Sequence, residues 1–170
     1  PHNWVYICNG GAIAGALSIA DEEPQLSSEI ISYALENWGR AIRYLAPDGV
    51  HYEGPMYNNW MLVCMTNAFS SLENTLGTTY GLMDMPGVTE FPYANAAFIS
   101  TVSPFNFGNA EPTYGNTNSN GAFYMASYAN DTALGQLRSY AINSYNLSVG
   151  VQDLIYAKPE YLTPGASSVK

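Results

Sequence analysis

The sequence predicts an all-α fold made of antiparallel helix pairs, of the kind from which helical toroids and solenoids are built. Three observations favour this class. Apolar residues recur at three- and four-residue spacing, glycine and proline divide the chain into segments of helical length, and no segment of any length alternates with the period of two that a half-buried strand needs. Because each helix pair needs neighbours to cover its apolar faces, we expect the chain to be a fragment of a larger ring.

Two helices are predicted before the Pro-Asp-Gly turn at residues 47–49. The first covers residues 4–20 and contains three glycines, each of which costs a helix about 0.5–1 kcal/mol relative to alanine. Such a helix persists where neighbours pack closely against it, so we place it inside the packing. The second begins within DEEPQLSSE, at residues 21–29, and its apolar residues keep the helical spacing up to the turn.

A third long helix is predicted for residues 57–77, which end in a glycine that suits a helix C-terminus. Its mostly inward-facing side chains are expected to be Trp60, Val63, Cys64, Phe69, Leu72 and Leu76. Four shorter helices are predicted at residues 92–100, 121–128, 132–143 and 149–156. These helices form one predicted domain over residues 1–157, and residues 158–170 have the composition of a C-terminal tail or linker.

The composition limits the possible functions. The 170 residues carry 14 acidic and five basic side chains, a formal net charge of −9, which argues against a nucleic-acid partner. No run of 18 apolar residues predicts a membrane span. The histidines and cysteines lack the spacing of a metal site, and no phosphate loop or dinucleotide fingerprint is present, so we expect no metal and no cofactor. Cys8 and Cys64 are predicted to be free and buried.

The stretch APDGVHYEGPMYNNWM, residues 46–61, carries many reactive groups for a connection between two helices. Tyr57 is a candidate general acid or base, or a ring that packs at the joint with its hydroxyl in water. Glu53 is a candidate substrate-binding or catalytic carboxylate, or a cap for the third helix. His51 is a candidate proton-transfer group, or a solvated loop residue.

A second set of candidates lies at the start of the chain, in His2, Asn3 and Trp4. Asn3 is either the N-cap of the first helix or an amide that binds a substrate carboxylate. Trp4 and Trp60 are either a platform on which a sugar ring stacks or ordinary core residues. The local pattern leaves both choices open.

Three motifs in this order resemble the heparinase II/III-like polysaccharide lyases. The first is HNWVYICNGGAIAGALSIADEEP, the second is the joint APDGVHYEGPMY, and the third is FNFGNA at residues 105–110. The resemblance covers roughly residues 2–160. It implies an N-terminal α/α toroid followed in the complete protein by a β-sandwich domain, with the active site in the cleft between them.

The resemblance also implies a reaction, the β-elimination of a uronic acid. By matching position, Asn3 would neutralise the substrate carboxylate and Tyr57 would be the acid/base, while a tyrosine or histidine takes the C5 proton. The family often has Asn-His where this chain has His2 before Asn3, and often an aspartate where it has Asn109. A further catalytic histidine would come from the sandwich domain, so we expect the isolated segment to be inactive.

These expectations define the partners and the alternatives. The leading hypothesis is part of a secreted or periplasmic lyase that binds an acidic polysaccharide or oligosaccharide, with Trp4, Trp60, Glu53 and His2 as substrate-binding residues. The alternative is a non-catalytic carbohydrate-binding or structural helical domain. The missing β-sandwich domain of the same protein is an expected partner. Self-association into a homo-oligomer is also expected, because part of a helical ring leaves apolar faces uncovered.

Overall fold

The computed structural model of the chain describes residues 1–98, 105–109, 111 and 121–162. Of these residues 67% are helical, and none of them lies in a β-strand. The predicted all-α class is therefore confirmed for this part of the chain. No helix in the described ranges is long and apolar enough to cross a membrane.

Three long helices form the first half of the fold. Helix α1 covers Asn3–Ser18, α2 covers Pro24–Ala41 and continues as a 3-10 turn over Ile42–Leu45, and α3 covers Pro55–Leu76. Helix α1 packs against both α2 and α3. Proline occupies the first turn of α2 and of α3, where its missing N–H is not needed, and Gly77 ends α3 in the left-handed conformation. The three long predictions are correct to within a few residues at most ends.

Five short helices complete the described fold: α4 (Phe91–Ala97), α5 (Ala122–Tyr128), α6 (Thr132–Tyr145), α7 (Val151–Tyr156) and α8 (Pro159–Leu162). Helix α6 packs against α5 and α8, and α5 also contacts α3 and α7. The predicted helix at residues 92–100 is shorter than expected, and residues 99 and 100 lie outside the described ranges.

Close packing of α1 against its neighbours depends on one glycine. A Cβ atom at Gly10 would lie 3.0 Å from the Cys64 carbonyl oxygen and 3.2 Å from Cζ2 of Trp38. The expectation that neighbours crowd the glycine-rich helix is correct at this position. At Gly11 and Gly15 a Cβ atom would meet open space, so close packing does not explain these two glycines.

The buried face of α3 differs from the predicted one. Trp60 is 54% exposed and Leu76 is 44% exposed, so both predictions of an inward-facing side chain are wrong. Val63 and Cys64 are only half-buried, whereas Phe69 and Leu72 are fully buried as predicted. The buried stripe keeps three- and four-residue spacing but runs through Met61, Leu62, Met65, Ala68, Phe69 and Leu72.

The cysteine prediction is correct in one respect and wrong in the other. Cys8 and Cys64 are both free, as predicted. Cys8 is exposed, because the buried face of α1 runs through Tyr6, Gly10 and Ile13 and leaves residue 8 outside it. Burial raises the pKa of the half-buried Cys64 thiol.

Packing continues past the predicted end of the helical domain at residue 157. Helix α8 lies in the predicted tail, and its Tyr161 is buried with its ring stacked on that of Phe123 at 5.7 Å between centroids. The first part of that tail therefore belongs to the packed structure. Residues 163–170 lie outside the described ranges.

Candidate functional site

Three segments that are far apart in sequence meet at one end of α1. The Asn3 backbone N–H donates to Glu53 Oε2 at 2.5 Å, and the Asn3 side-chain amide donates to Glu53 Oε1 at 3.1 Å. The Asn109 backbone N–H donates to the Glu53 carbonyl oxygen at 3.2 Å. We call Asn3, His51, Glu53 and Asn109 the joint cluster. Each of the three motifs that carry the family resemblance contributes at least one of its members.

Two glycines allow these segments to approach. Gly54 has φ +94° where the loop turns into α3, and Gly108 has φ +64°. A Cβ atom at Gly108 would lie 2.3 Å from the Tyr52 carbonyl oxygen, which is closer than Cβ atoms approach other atoms in proteins. Glycine at position 108 therefore lets the 105–109 segment lie directly on the loop that precedes α3.

Glu53 stabilises the start of α1 rather than the start of α3. The N-cap residue of α1 is His2, which makes no side-chain cap hydrogen bond, and Asn3 is the first helical residue. The Glu53 carboxylate accepts the N–H that this helix end leaves unpaired and places negative charge at the positive end of the helix. The N-cap reading of Asn3 is wrong, and so is the reading of Glu53 as a cap for the third helix.

His51 is a buried, neutral residue. It is 1% exposed, so the reading of a solvated loop histidine is wrong. Its Nε2 lies 3.0 Å from the Pro1 carbonyl oxygen, which can only accept, and its Nδ1 lies 3.4 Å from the Glu53 backbone N–H, which can only donate. The proton is therefore on Nε2. Burial lowers the pKa of His51, against the opposing effects of the Pro1 carbonyl and of the Glu53 carboxylate.

Aromatic rings enclose this histidine. The Tyr6 ring meets the His51 ring edge-on at 5.9 Å between centroids, and the Tyr52 ring lies at 4.5 Å. The Tyr6 hydroxyl donates to the Ala41 carbonyl oxygen at 2.8 Å, and burial raises the pKa of Tyr6 well above its usual range. With both ring nitrogens bonded and the ring enclosed, His51 positions the loop and does not face a substrate in this conformation.

Tyr57 lies in the first turn of α3 and is half-buried. No hydrogen bond joins its hydroxyl to Asn3 or to His51, contrary to the contact that an acid/base role beside them predicts. The structure therefore brings Asn3, His51 and Glu53 together, and it places Tyr57 three residues beyond the loop without a bond to them.

The remaining predicted site residues are exposed. Trp4 is 60% exposed and Trp60 is 54% exposed, so the core reading of both tryptophans is wrong. His2 is also exposed, next to the joint cluster. Tyr52 is 60% exposed while its ring contacts His51. Exposed aromatic faces of this kind are available for stacking against a ligand.

A cleft between α1 and α2 adjoins the joint cluster. Its volume is about 360 Å³, and it is lined by Pro1, Val5, Asn9, Asn37, Arg40, Ala41 and Tyr44. It reaches the cluster through Pro1, whose carbonyl oxygen binds His51. The sequence analysis did not predict this cleft. Its lining residues in α2 and the 3-10 turn nevertheless share one face, because they are spaced three and four residues apart: Asn37, Arg40, Ala41 and Tyr44.

Comparison with known proteins adds no identification. The chain matches none of the known protein families and none of the curated proteins with which it was compared. In the described part of the chain, no group of three or more His, Cys, Asp or Glu side chains is arranged to hold a metal ion.

Proposed function

We propose that the chain is the helical part of a heparinase II/III-like lyase that cleaves a uronic-acid-containing polysaccharide by β-elimination. One observation carries the proposal: the three motifs of the resemblance, up to 106 residues apart in sequence, meet at Glu53 through bonds to Asn3 and Asn109. Motifs that belong to one active-site wall are expected to converge in this way. In the complete protein, which we propose to be secreted or periplasmic, the described helices form part of an α/α toroid of antiparallel pairs.

The proposed chemistry assigns different roles to the residues of this wall. Removal of the C5 proton of a uronate requires that the adjacent carboxylate charge be offset, which an amide N–H can do. In this proposal Asn3 offers its second amide N–H to that carboxylate, while Glu53 holds the first. The histidine expected from the β-sandwich domain takes the C5 proton, and Tyr57 protonates the leaving glycosidic oxygen. His51 and Glu53 are positioning residues. Because Asn3 is only 5% exposed, the joint must open for substrate to reach its amide.

The exposed aromatic side chains support a sugar ligand. Trp4 follows Asn3 directly and Tyr52 precedes Glu53, so two exposed rings flank the residues proposed to bind the carboxylate. Flat rings stack on the apolar faces of sugars, and Trp60 on α3 offers a third such ring. The same rings would serve a carbohydrate-binding module without catalysis, which is the second candidate function.

A cleavage assay tests the proposal. β-Elimination leaves a double bond conjugated to the carboxylate, which absorbs in the near ultraviolet. We expect a protein that joins this chain to its β-sandwich domain to release such products from a uronate polymer. Tyr57→Phe should lower kcat by roughly 10²–10⁴-fold, the usual contribution of a general acid or base. Tyr33→Phe is the matched control, because Tyr33 is 70% exposed on α2 and away from the cluster.

Two results would contradict the lyase proposal. Absence of product from all uronate polymers argues against the reaction, and unchanged kcat in Tyr57→Phe removes the acid/base role. Binding of a polymer without turnover would favour the binding module, and the absence of both would favour a structural domain.

We also propose that the chain self-associates. Helix α7 exposes Val151, Leu154 and Ile155 to 72%, 75% and 63% respectively, and Leu162 on α8 is 62% exposed. Exposed apolar side chains that form a contiguous patch mark contact surfaces. A second copy of the chain or the rest of the toroid would cover them.

A further inference from the structure

Positive charge is scarce in this chain, so the location of each basic side chain restricts where an acidic ligand can bind. Arg138 is buried and donates to both carboxylate oxygens of Asp153, at 3.0 and 2.7 Å. Lys158 lies over the Tyr161 ring at 5.6 Å from its centroid. Among the basic side chains that the structure describes, two arginines near the end of α2 remain, Arg40 and Arg43, and both are exposed; Lys170 lies outside the described ranges.

Of these two arginines, Arg40 lines the cleft between α1 and α2 and Arg43 does not. Arg40 forms an ion pair with Glu36, one helical turn earlier, and the two side chains are 69% and 59% exposed. An exposed pair of this kind stabilises a helix by only about 0.3–0.5 kcal/mol, so a ligand carboxylate competes with it readily. The guanidinium offers five N–H groups and binds a carboxylate through two parallel hydrogen bonds.

The rest of the cleft is suited to a sugar. The Asn37 side-chain amide donates to the side-chain Oδ1 of Asn9 at 3.4 Å, and the Asn9 side-chain amide donates to the backbone carbonyl oxygen of Val5 at 2.6 Å. These bonds fix both side chains, while the Asn37 carbonyl oxygen and its second N–H face no partner among the described residues. Tyr44 is 64% exposed and adds a ring and a hydroxyl to the same wall. A volume of about 360 Å³ lies within the usual range of small-ligand pockets, about 300–1,000 Å³.

We propose that this cleft is a binding subsite for one uronate residue of the polysaccharide, with Arg40 bound to its carboxylate and with Asn37 and Tyr44 bound to its hydroxyl groups. The choice of a uronate rests on the proposed function, whereas the position of the subsite rests on the cleft and its arginine. Because the Pro1 carbonyl binds His51 and Pro1 also lines the cleft, the subsite adjoins the joint cluster. The subsite also gives a protein of net charge −9 a cation for a polyanion, because the exposed Arg40 lines the cleft and its pair with Glu36 is weak.

Titration calorimetry with an unsulfated oligouronate of four residues tests the subsite. We expect Arg40→Gln to bind it at least about tenfold more weakly than the unaltered chain, the loss typical of a charged hydrogen-bond donor. Arg43→Gln is the matched control, because it removes the same charge three residues away and outside the cleft, and we expect its affinity to stay within about twofold. An oligosaccharide whose carboxyl groups are reduced to alcohols should not distinguish Arg40→Gln from the unaltered chain.

Three outcomes of the calorimetry would contradict the subsite proposal. Absence of binding, unchanged affinity in Arg40→Gln, or an equal loss in both arginine variants would overturn the subsite, the last because it shows a general effect of charge. Circular dichroism checks that the variants fold, which the exposure of Arg40 leads us to expect. If the oligouronate binds as described but no unsaturated product forms, the subsite stands and the lyase proposal fails. If unsaturated product forms while Arg40→Gln binds the oligouronate normally, the lyase proposal stands and the subsite proposal fails.

Discussion

Replacement of Glu53 should destabilise the fold far more than replacement of an exposed glutamate. Glu53 is 7% exposed and accepts two hydrogen bonds from Asn3, one from the backbone N–H and one from the side-chain amide. In Glu53→Ala these donors lose their partner inside the protein. The first turn of α1 also loses the negative charge at its positive end.

The magnitude follows from those two bonds. A hydrogen bond to a charged acceptor contributes about 1.5–3 kcal/mol net, and loss of the charge at the helix end adds up to about 2 kcal/mol. Removing a buried carboxylate also removes its desolvation penalty, which offsets part of the loss. We therefore expect Glu53→Ala to lower the free energy of unfolding by about 3 kcal/mol. Glu53→Gln, which keeps one acceptor oxygen, should lower it by about 1–2 kcal/mol.

Urea unfolding followed by circular dichroism measures the effect, with the midpoint compared at equal slope. Glu36→Ala is the matched control, because its carboxylate forms an exposed pair with Arg40 and its loss should change the free energy by no more than about 0.5 kcal/mol. Equal shifts of the midpoint in Glu53→Ala and Glu36→Ala would refute the claim that Glu53 fixes the start of α1.

Three other outcomes are expected. Burial lowers the pKa of His51 below the value of about 6.5 in the unfolded chain, so the free energy of unfolding should fall as the pH decreases below about 6.5. Urea unfolding at about pH 7.5 and 5.5 should show a smaller fall in His51→Gln than in the control His2→Gln. Gly10→Ala should lower the free energy of unfolding by about 1–3 kcal/mol, whereas Gly15→Ala should raise it by about 0.5–1 kcal/mol; equal urea midpoints would contradict the packing argument. Leu154→Ser should weaken self-association in light scattering; a monomeric unaltered chain, or unchanged association in the variant, would contradict the proposed contact surface.

The long helices were predictable because their signals are local. Apolar spacing, the Pro-Asp-Gly turn and Gly77 all act within a few residues of the helix ends they determine, and the structure follows them closely. The buried face of α3 was harder to predict. Residues 60–65 are all apolar, so apolar side chains point to every side of the helix and spacing alone does not show which of them face α1. Trp60 was predicted to face inward, yet it is 54% exposed and its neighbours Met61 and Leu62 are fully buried.

The joint cluster was predictable only in its membership. Asn3, His51 and Glu53 were singled out for their chemistry, and the structure brings them together. Their individual roles depend on partners that are 50 residues away in sequence. A carboxylate usually caps the helix that follows it, and no local signal indicates that Glu53 instead accepts from the first turn of α1. The burial of His51 likewise depends on Tyr6, which reaches it from a separate helix.

Asn3 connects the fold to the proposed reaction, because its side-chain amide binds Glu53 and is also proposed to bind the substrate carboxylate. Its amide has two N–H groups, and one of them is bonded to Glu53. That bond holds the amide in a single orientation, which is the condition for its second N–H to offset a substrate charge without reorganisation during the reaction. The carboxylate of Glu53 thus orients the group that would bind the carboxylate of a uronate. The same bond also stabilises α1, so a protein that never bound a sugar would have reason to keep it. Cleavage therefore has to be judged at Tyr57, which forms no comparable bond to the residues that the structure describes.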